Sequence, residues 1–163
     1  MVPLRARAPK GERAFGKAPK NWDKNDVTLI SSVSLDGMGA SMSIEGSADG
    51  EAFLLYVEHF LCPTLKRGQI VLMDNLQVHK AKRVRELIEE CGCHLVFLPS
   101  YSPDLNPIEE AFSKVKTLLR KAKARSFEAL VEASGRALSA VSEEDACGFF
   151  VDCGYGSPRA LSL

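Results

Sequence analysis

The sequence predicts an α/β layer fold, and three observations carry that prediction. An Asp36-Gly37 pair separates two strand-like runs. Two short, continuous apolar runs, Ile70–Met73 and Leu95–Leu98, flank a helical stretch. A long helical stripe then opens behind Asn106-Pro107.

Residues 1–24 carry Pro3, Pro9, Pro19, Gly11 and Gly16 with no period, so they read as an extended or disordered leader. The run from Val27 to Leu35 is rich in β-formers, and Asp36-Gly37 is a strong hairpin signal. Ala40 to Glu45 is the returning strand. Asp49 caps a helix whose apolar positions are Phe53, Leu54, Val57, Phe60 and Leu61, with Pro63 at its end. Unbroken apolar runs such as Ile70–Met73 and Leu95–Leu98 suit strands buried on both faces. Between them, residues 80–90 form a helix with Val84, Leu87 and Ile88 inward and Gly92 as its stop. The helix behind Asn106 has the apolar stripe Ile108, Ala111, Phe112, Val115, Leu118, Leu119 and Ala122. Two further helices follow, at about 126–141 and 143–152. The order predicts a basic leader over 1–24 and one folded domain over 25–163.

Composition narrows the function classes. With 45% hydrophobic and 26% charged residues the chain is an ordinary globular protein, and its 163 residues suit one domain. No apolar run approaches the roughly 18 residues of a membrane span, and no signal peptide is legible. Five irregularly spaced cysteines point to a reduced, cytoplasmic compartment rather than a disulfide framework. Cys91, Cys93 and His94 lack a second ligand pair at finger-like spacing, so zinc is not expected. Net charge is zero but unevenly spread. Residues 1–24 hold seven Lys/Arg against two acids, and residues 111–125 hold six against none. Such blocks suit a polyanion, although one basic helix alone is more often a solvated face.

Two acids stand out. Asp74 directly follows the Ile70–Met73 run, and ligands of open α/β sheets bind beyond the carboxyl ends of their strands. Its bland alternative is an Asx turn helped by Asn75. Glu109 is the third residue of the helix opened by Asn106-Pro107, where a capping box would explain it completely. Glu109 and Glu110 both lie off the apolar stripe, by roughly 120° and 140° on opposite sides, so helical geometry does not choose between them. His79 has a surface or capping role as its bland reading.

Met73-Asp74-Asn75 with His79-Lys80, then Leu98-Pro-Ser-Tyr-Ser-Pro-Asp-Leu-Asn-Pro-Ile-Glu109, Phe112 and Lys116, resembles the signature of mariner-superfamily insertion-sequence transposases of the DDE type. The resemblance covers most of residues 3–155 and is most specific over 70–120. In that family 34 residues separate the second and third carboxylates, as residues 75–108 separate Asp74 from Glu109 here. The resemblance implies an RNase H-like mixed sheet flanked by helices and metal-dependent cleavage and joining of DNA strands. It makes Asp74 and Glu109 catalytic, metal-holding residues for two Mg²⁺ or Mn²⁺ ions, with Asn75, His79 and Asn106 in support. The ions would sit roughly 3.5–4 Å apart and take oxygen ligands. The partner is DNA, as transposon ends and target, in the nucleoid, with homodimers expected of full-length members. Lys114, Lys116, Arg120, Lys121 and Lys123 are then the residues to touch phosphates.

The family site needs a further aspartate on a first strand that precedes the basic loop resembling Pro3–Arg13. That strand is missing from this chain, and so is the helix-turn-helix region that reads transposon ends. Asp23, Asp26, Asp36 and Asp49 are not convincing substitutes. The 163 residues alone are therefore expected to be inactive. The rival readings are a non-catalytic DNA-binding remnant that interferes with a full-length relative, and a signalling receiver domain. The second lacks the acidic pair and the lysine it would need.

Overall fold

The computed structural model describes residues 27–124 and 126–156. The basic leader 1–24 and Arg125 lie outside them. Strands β1 (Val27–Ser34) and β2 (Gly37–Glu45) form an antiparallel hairpin turned at Leu35-Asp36. The returning strand starts at Gly37, three residues before the predicted Ala40. Gly37 explains the early start, since its φ of 110° suits only glycine and a Cβ there would meet the Val141 carbonyl at 2.9 Å.

The hairpin contains a bulge. Ser31 pairs with Ser41 but Val33 with Met38, so β2 spends one extra residue there. An extra residue inverts the alternation of side chains beyond it. Ala40, Met42 and Ile44 accordingly pack into one core, and Met38 into another.

Helix α1 (Gly50–Tyr56) is capped by the Asp49 side chain, which accepts from Ala52 N–H. Its helical run ends near Pro63 as predicted, but not as one α-helix. It widens into a π turn (Val57–Leu61) and ends in a 3₁₀ turn that runs through Pro63 to Thr64. Tyr56, absent from the predicted stripe, is nearly fully buried and donates from its hydroxyl to the Ala40 carbonyl at 2.9 Å.

Strands β3 (Ile70–Met73) and β4 (His94–Phe97) pair in parallel around α2 (Lys82–Glu90). A 3₁₀ turn over Gln77–Lys80 delays α2 by two residues from the predicted start. The expectation of strands buried on both faces is corrected here, because Ile70 is 63% and Val96 44% exposed. The described residues make two two-stranded sheets, β1-β2 and β3-β4, and no pairing joins them.

The first core joins Met42, Phe53, Tyr56, Val57 and Leu61 to Met73, Val84, Leu87, Ile88 and Leu95. Helices α3 (Pro107–Ala122), α4 (Phe127–Ser139) and α5 (Glu143–Asp152) cover the other side of the hairpin. There Val115, Ala137 and Val141 pack with Leu29 and Met38. No helix among the described residues is long and apolar enough to cross a membrane.

Candidate functional site

In-register parallel pairing sets Met73 opposite Phe97, so β3 and β4 end side by side. Asp74 follows Met73 directly, and Leu98 N–H bonds the Met73 carbonyl at 2.8 Å. The two loops beyond the strands are tied together: Asn75 Nδ2 donates to Ser100 Oγ at 2.8 Å. One loop carries Asp74. The other leads through a 3₁₀ turn (Pro103–Leu105) into α3 and Glu109.

Asp74 does form the Asx turn that its sequence allows, since its Oδ1 accepts from Leu76 N–H at 3.2 Å. His79 Nδ1 lies 2.5 Å from the same oxygen. The approach is out of line for a hydrogen bond, and Nδ1 is buried without another partner among the described residues. The imidazole packs on Phe53 with centroids 4.3 Å apart, which fixes the ring. The Asp74 side chain stays 42% exposed. Its second oxygen, Oδ2, has no protein partner among the described residues. The turn therefore uses one oxygen and leaves one for other work.

The capping box expected at Asn106 and Glu109 does not form. Asn106 precedes α3 with no side-chain cap bond, and Glu109 N–H is taken by the Asn106 backbone carbonyl at 3.0 Å. The reason is the Asn106 backbone, whose ψ of 98° turns its carbonyl to the task. At Asp49, Ser126 and Ser142, which do cap with their side chains, ψ is −174°, 164° and 168°. Glu109 is exposed and its carboxylate makes no bond among the described residues. Glu110 turns the other way. With Ser113, Lys114, Thr117, Lys121 and Phe149 it lines an open groove of about 430 Å³ between α3 and α5. Burial, and then the charge of Glu110, push the Cys153 thiol up.

The five basic residues of α3 and its end divide. Lys114 is bound to Asp145 of α5. Lys116, Arg120, Lys121 and Lys123 are exposed, and Arg120 Nε donates to the Lys116 carbonyl at 3.1 Å. The Asp145 carboxylate, held by Lys114 and by both the amide and hydroxyl of Ser142, titrates well below the usual range, at about 2. No group of three or more His, Cys, Asp or Glu side chains among the described residues is set to hold a metal. The sequence reading missed the Asn75–Ser100 tie, the Phe53–His79 stack and Asp145. Only the Ser142-x-x-Asp145 spacing could have signalled the last.

The parallel pair with helices packed beside it, and Asp74 directly beyond β3, make an α/β domain. The chain belongs to the DDE superfamily endonuclease family, whose model matches residues 1–131. Its fold is the RNase H-like fold of the mariner transposase catalytic domain. It is similar to the Mos1 strand transfer complex at a TM-score of 0.71 and 20% identity, over 91% of this chain and 45% of that one. The Mos1 mariner paired end complex with Mn gives 0.68 and 18%, over 94% and 47%. The Mos1 catalytic domain with Raltegravir and Mg gives 0.64 and 16%, over 80% and 77%. The chain thus spans less than half the length of the transposase chains in the first two. No curated protein matches it.

Proposed function

We propose that this chain is the catalytic portion of a transposase that cleaves and joins DNA strands, with Asp74 and Glu109 as two of its metal-holding carboxylates. The observation that carries the reading is the pair of unclaimed acids on tied loops. Asp74 keeps Oδ2 free beyond β3, Glu109 is uncapped at the start of α3, and Asn75–Ser100 joins their loops. Carboxylate oxygens are the ligands that Mg²⁺ and Mn²⁺ prefer. The solved relatives described with Mn and Mg support that choice. Two such ions, when bound, supply neutralising charge for the entering and leaving oxygens of a phosphodiester.

The protein's own part is positioning. Leu76 N–H holds Oδ1 of Asp74, the His79 ring lies beside it, and Oδ2 is left toward solvent. Asn106 supports Glu109 through its carbonyl rather than its side chain. Lys116, Arg120, Lys121 and Lys123 meet phosphates without reading sequence, in the nucleoid, and the full-length protein acts as a homodimer. The third carboxylate is the aspartate that the resemblance expects on a strand ahead of Pro3.

The test is to add that upstream strand and assay nicking of supercoiled DNA. Mg²⁺-dependent nicking is expected, falling at least ~10³-fold in Asp74→Asn and in Glu109→Gln, the scale of losing a whole electrostatic element of a site. Nicking that survives both substitutions overturns the site. DNA binding with no nicking in any form leaves the second reading, a non-catalytic remnant that interferes with a full-length relative.

A further inference from the structure

We infer that Tyr101 is a base-stacking residue, whose ring takes an unpaired nucleobase of the DNA strand held beside Asp74 and Glu109. The inference rests on the DNA reading above and adds a named contact to it.

Three observations converge. Tyr101 has a φ of 59°, a left-handed backbone in which a bulky side chain is strained. Lys123 is the only other described non-glycine residue with positive φ, and it sits at the end of α3, where helices commonly adopt that geometry. Tyr101 has no helix to end. Its side chain is also fully exposed, at 102%, the most exposed large apolar residue described. An aromatic held in a strained backbone and given no protein contact is a poor structural choice, and strain of this kind gathers where ligands bind.

The third observation is position. Ser100, its neighbour, accepts the Asn75 hydrogen bond that ties this loop to Asp74. On the far side the Tyr155 hydroxyl donates to the Leu105 carbonyl at 2.7 Å. The loop is pinned at both ends, so the ring is presented rather than left to wander. It belongs to the loop that joins β4 to the helix of Glu109, beside the loop of Asp74. A strand engaged by both acids lies next to it. Every base offers a π face, so a single ring serves any sequence, and only an unpaired or unstacked base can accept it. A protein partner would want an apolar patch around the ring. The residues flanking Tyr101 in the chain, Ser100 and Ser102, are polar.

The test uses the 163-residue chain and oligonucleotides carrying 2-aminopurine, single-stranded and duplex. Wild type and Tyr101→Phe are expected to change the fluorescence of the single strand alike. Tyr101→Ala should bind that strand about tenfold more weakly, with duplex binding unchanged. Tyr101→Gly should lose the same contact yet unfold at a higher temperature than Tyr101→Ala, because glycine adopts this backbone freely. Equal single-strand affinity and fluorescence for wild type and Tyr101→Ala overturn the inference and leave the ring to a protein partner. A wild-type chain that binds no DNA at all overturns the DNA reading itself.

Discussion

Helices α3 and α5 begin with the same short pattern and end up using it in opposite ways. Each has a capping residue followed three positions later by an acid, Asn106 with Glu109 and Ser142 with Asp145. In α5 the box closes: Ser142 Oγ accepts from Asp145 N–H at 3.2 Å, and the Asp145 carboxylate returns to Ser142 N–H at 2.8 Å. The same carboxylate then binds Lys114, so it also fastens α5 to α3. In α3 the box stays open and Glu109 is left with no structural task among the described residues. An acid at the third position of a helix is thus not explained by its position. What decides is whether the preceding backbone leaves the side chains facing one another.

The sharpest way to break this comparison is to remove each acid and measure stability. Asp145→Ala should cost about 1–2 kcal/mol, the usual loss of a working cap with its charged partner. Glu109→Ala should stay within about 0.5 kcal/mol of wild type, as exposed substitutions without partners do. Denaturant midpoints at constant m-value report both. If Glu109→Ala destabilised as much as Asp145→Ala, the carboxylate would be structural and the site would lose its second acid.

Acid titration gives an intermediate effect. The folded Asp145 carboxyl titrates near 2, below its ordinary 3.8. A depressed carboxyl contributes stability that is complete above its unfolded value and fades as pH falls toward the folded one. The stability gap between wild type and Asp145→Asn should therefore be constant at neutral pH and close between about pH 5 and pH 2. A gap that persists undiminished at pH 2 would mean that the charge plays no part.

The smallest effect separates the lysines. A phosphate contact on duplex DNA contributes about −0.9 to the log–log salt slope of binding. Lys116, Arg120, Lys121 and Lys123 together should give a slope of about −3 to −4. Lys116→Ala should flatten it by about one unit, and Lys114→Ala by much less, because Lys114 is already spent on Asp145. Equal flattening by the two would show that DNA displaces the ion pair.

The place of Asp74 was legible in the sequence, because an acid straight after a short apolar run marks the carboxyl end of a strand. Glu109 was singled out only through the motif and spacing of the resemblance. Periodicity left it level with Glu110, and the structure adds that Glu110 lines the groove beside Phe149. Tyr101 was quoted within the motif but carried no signal of its own. Its backbone geometry depends on how two loops meet.

By itself the sequence determined the elements and their order. Asp-Gly turns, capping side chains, glycine stops and apolar periods act over a few residues, through sterics and hydrogen bonds that need no distant partner. Its local readings failed where distant chain intervened. The bulge that sends Met38 to the second core answers to Val141 and α3. The ion pair that occupies Lys114 spans 31 residues. The exposure of Ile70 and Val96 depends on which strands lie alongside. Tertiary structure alone decided which acids and cations remain free for a ligand, because freedom of a charged group is set by every neighbour that could have claimed it.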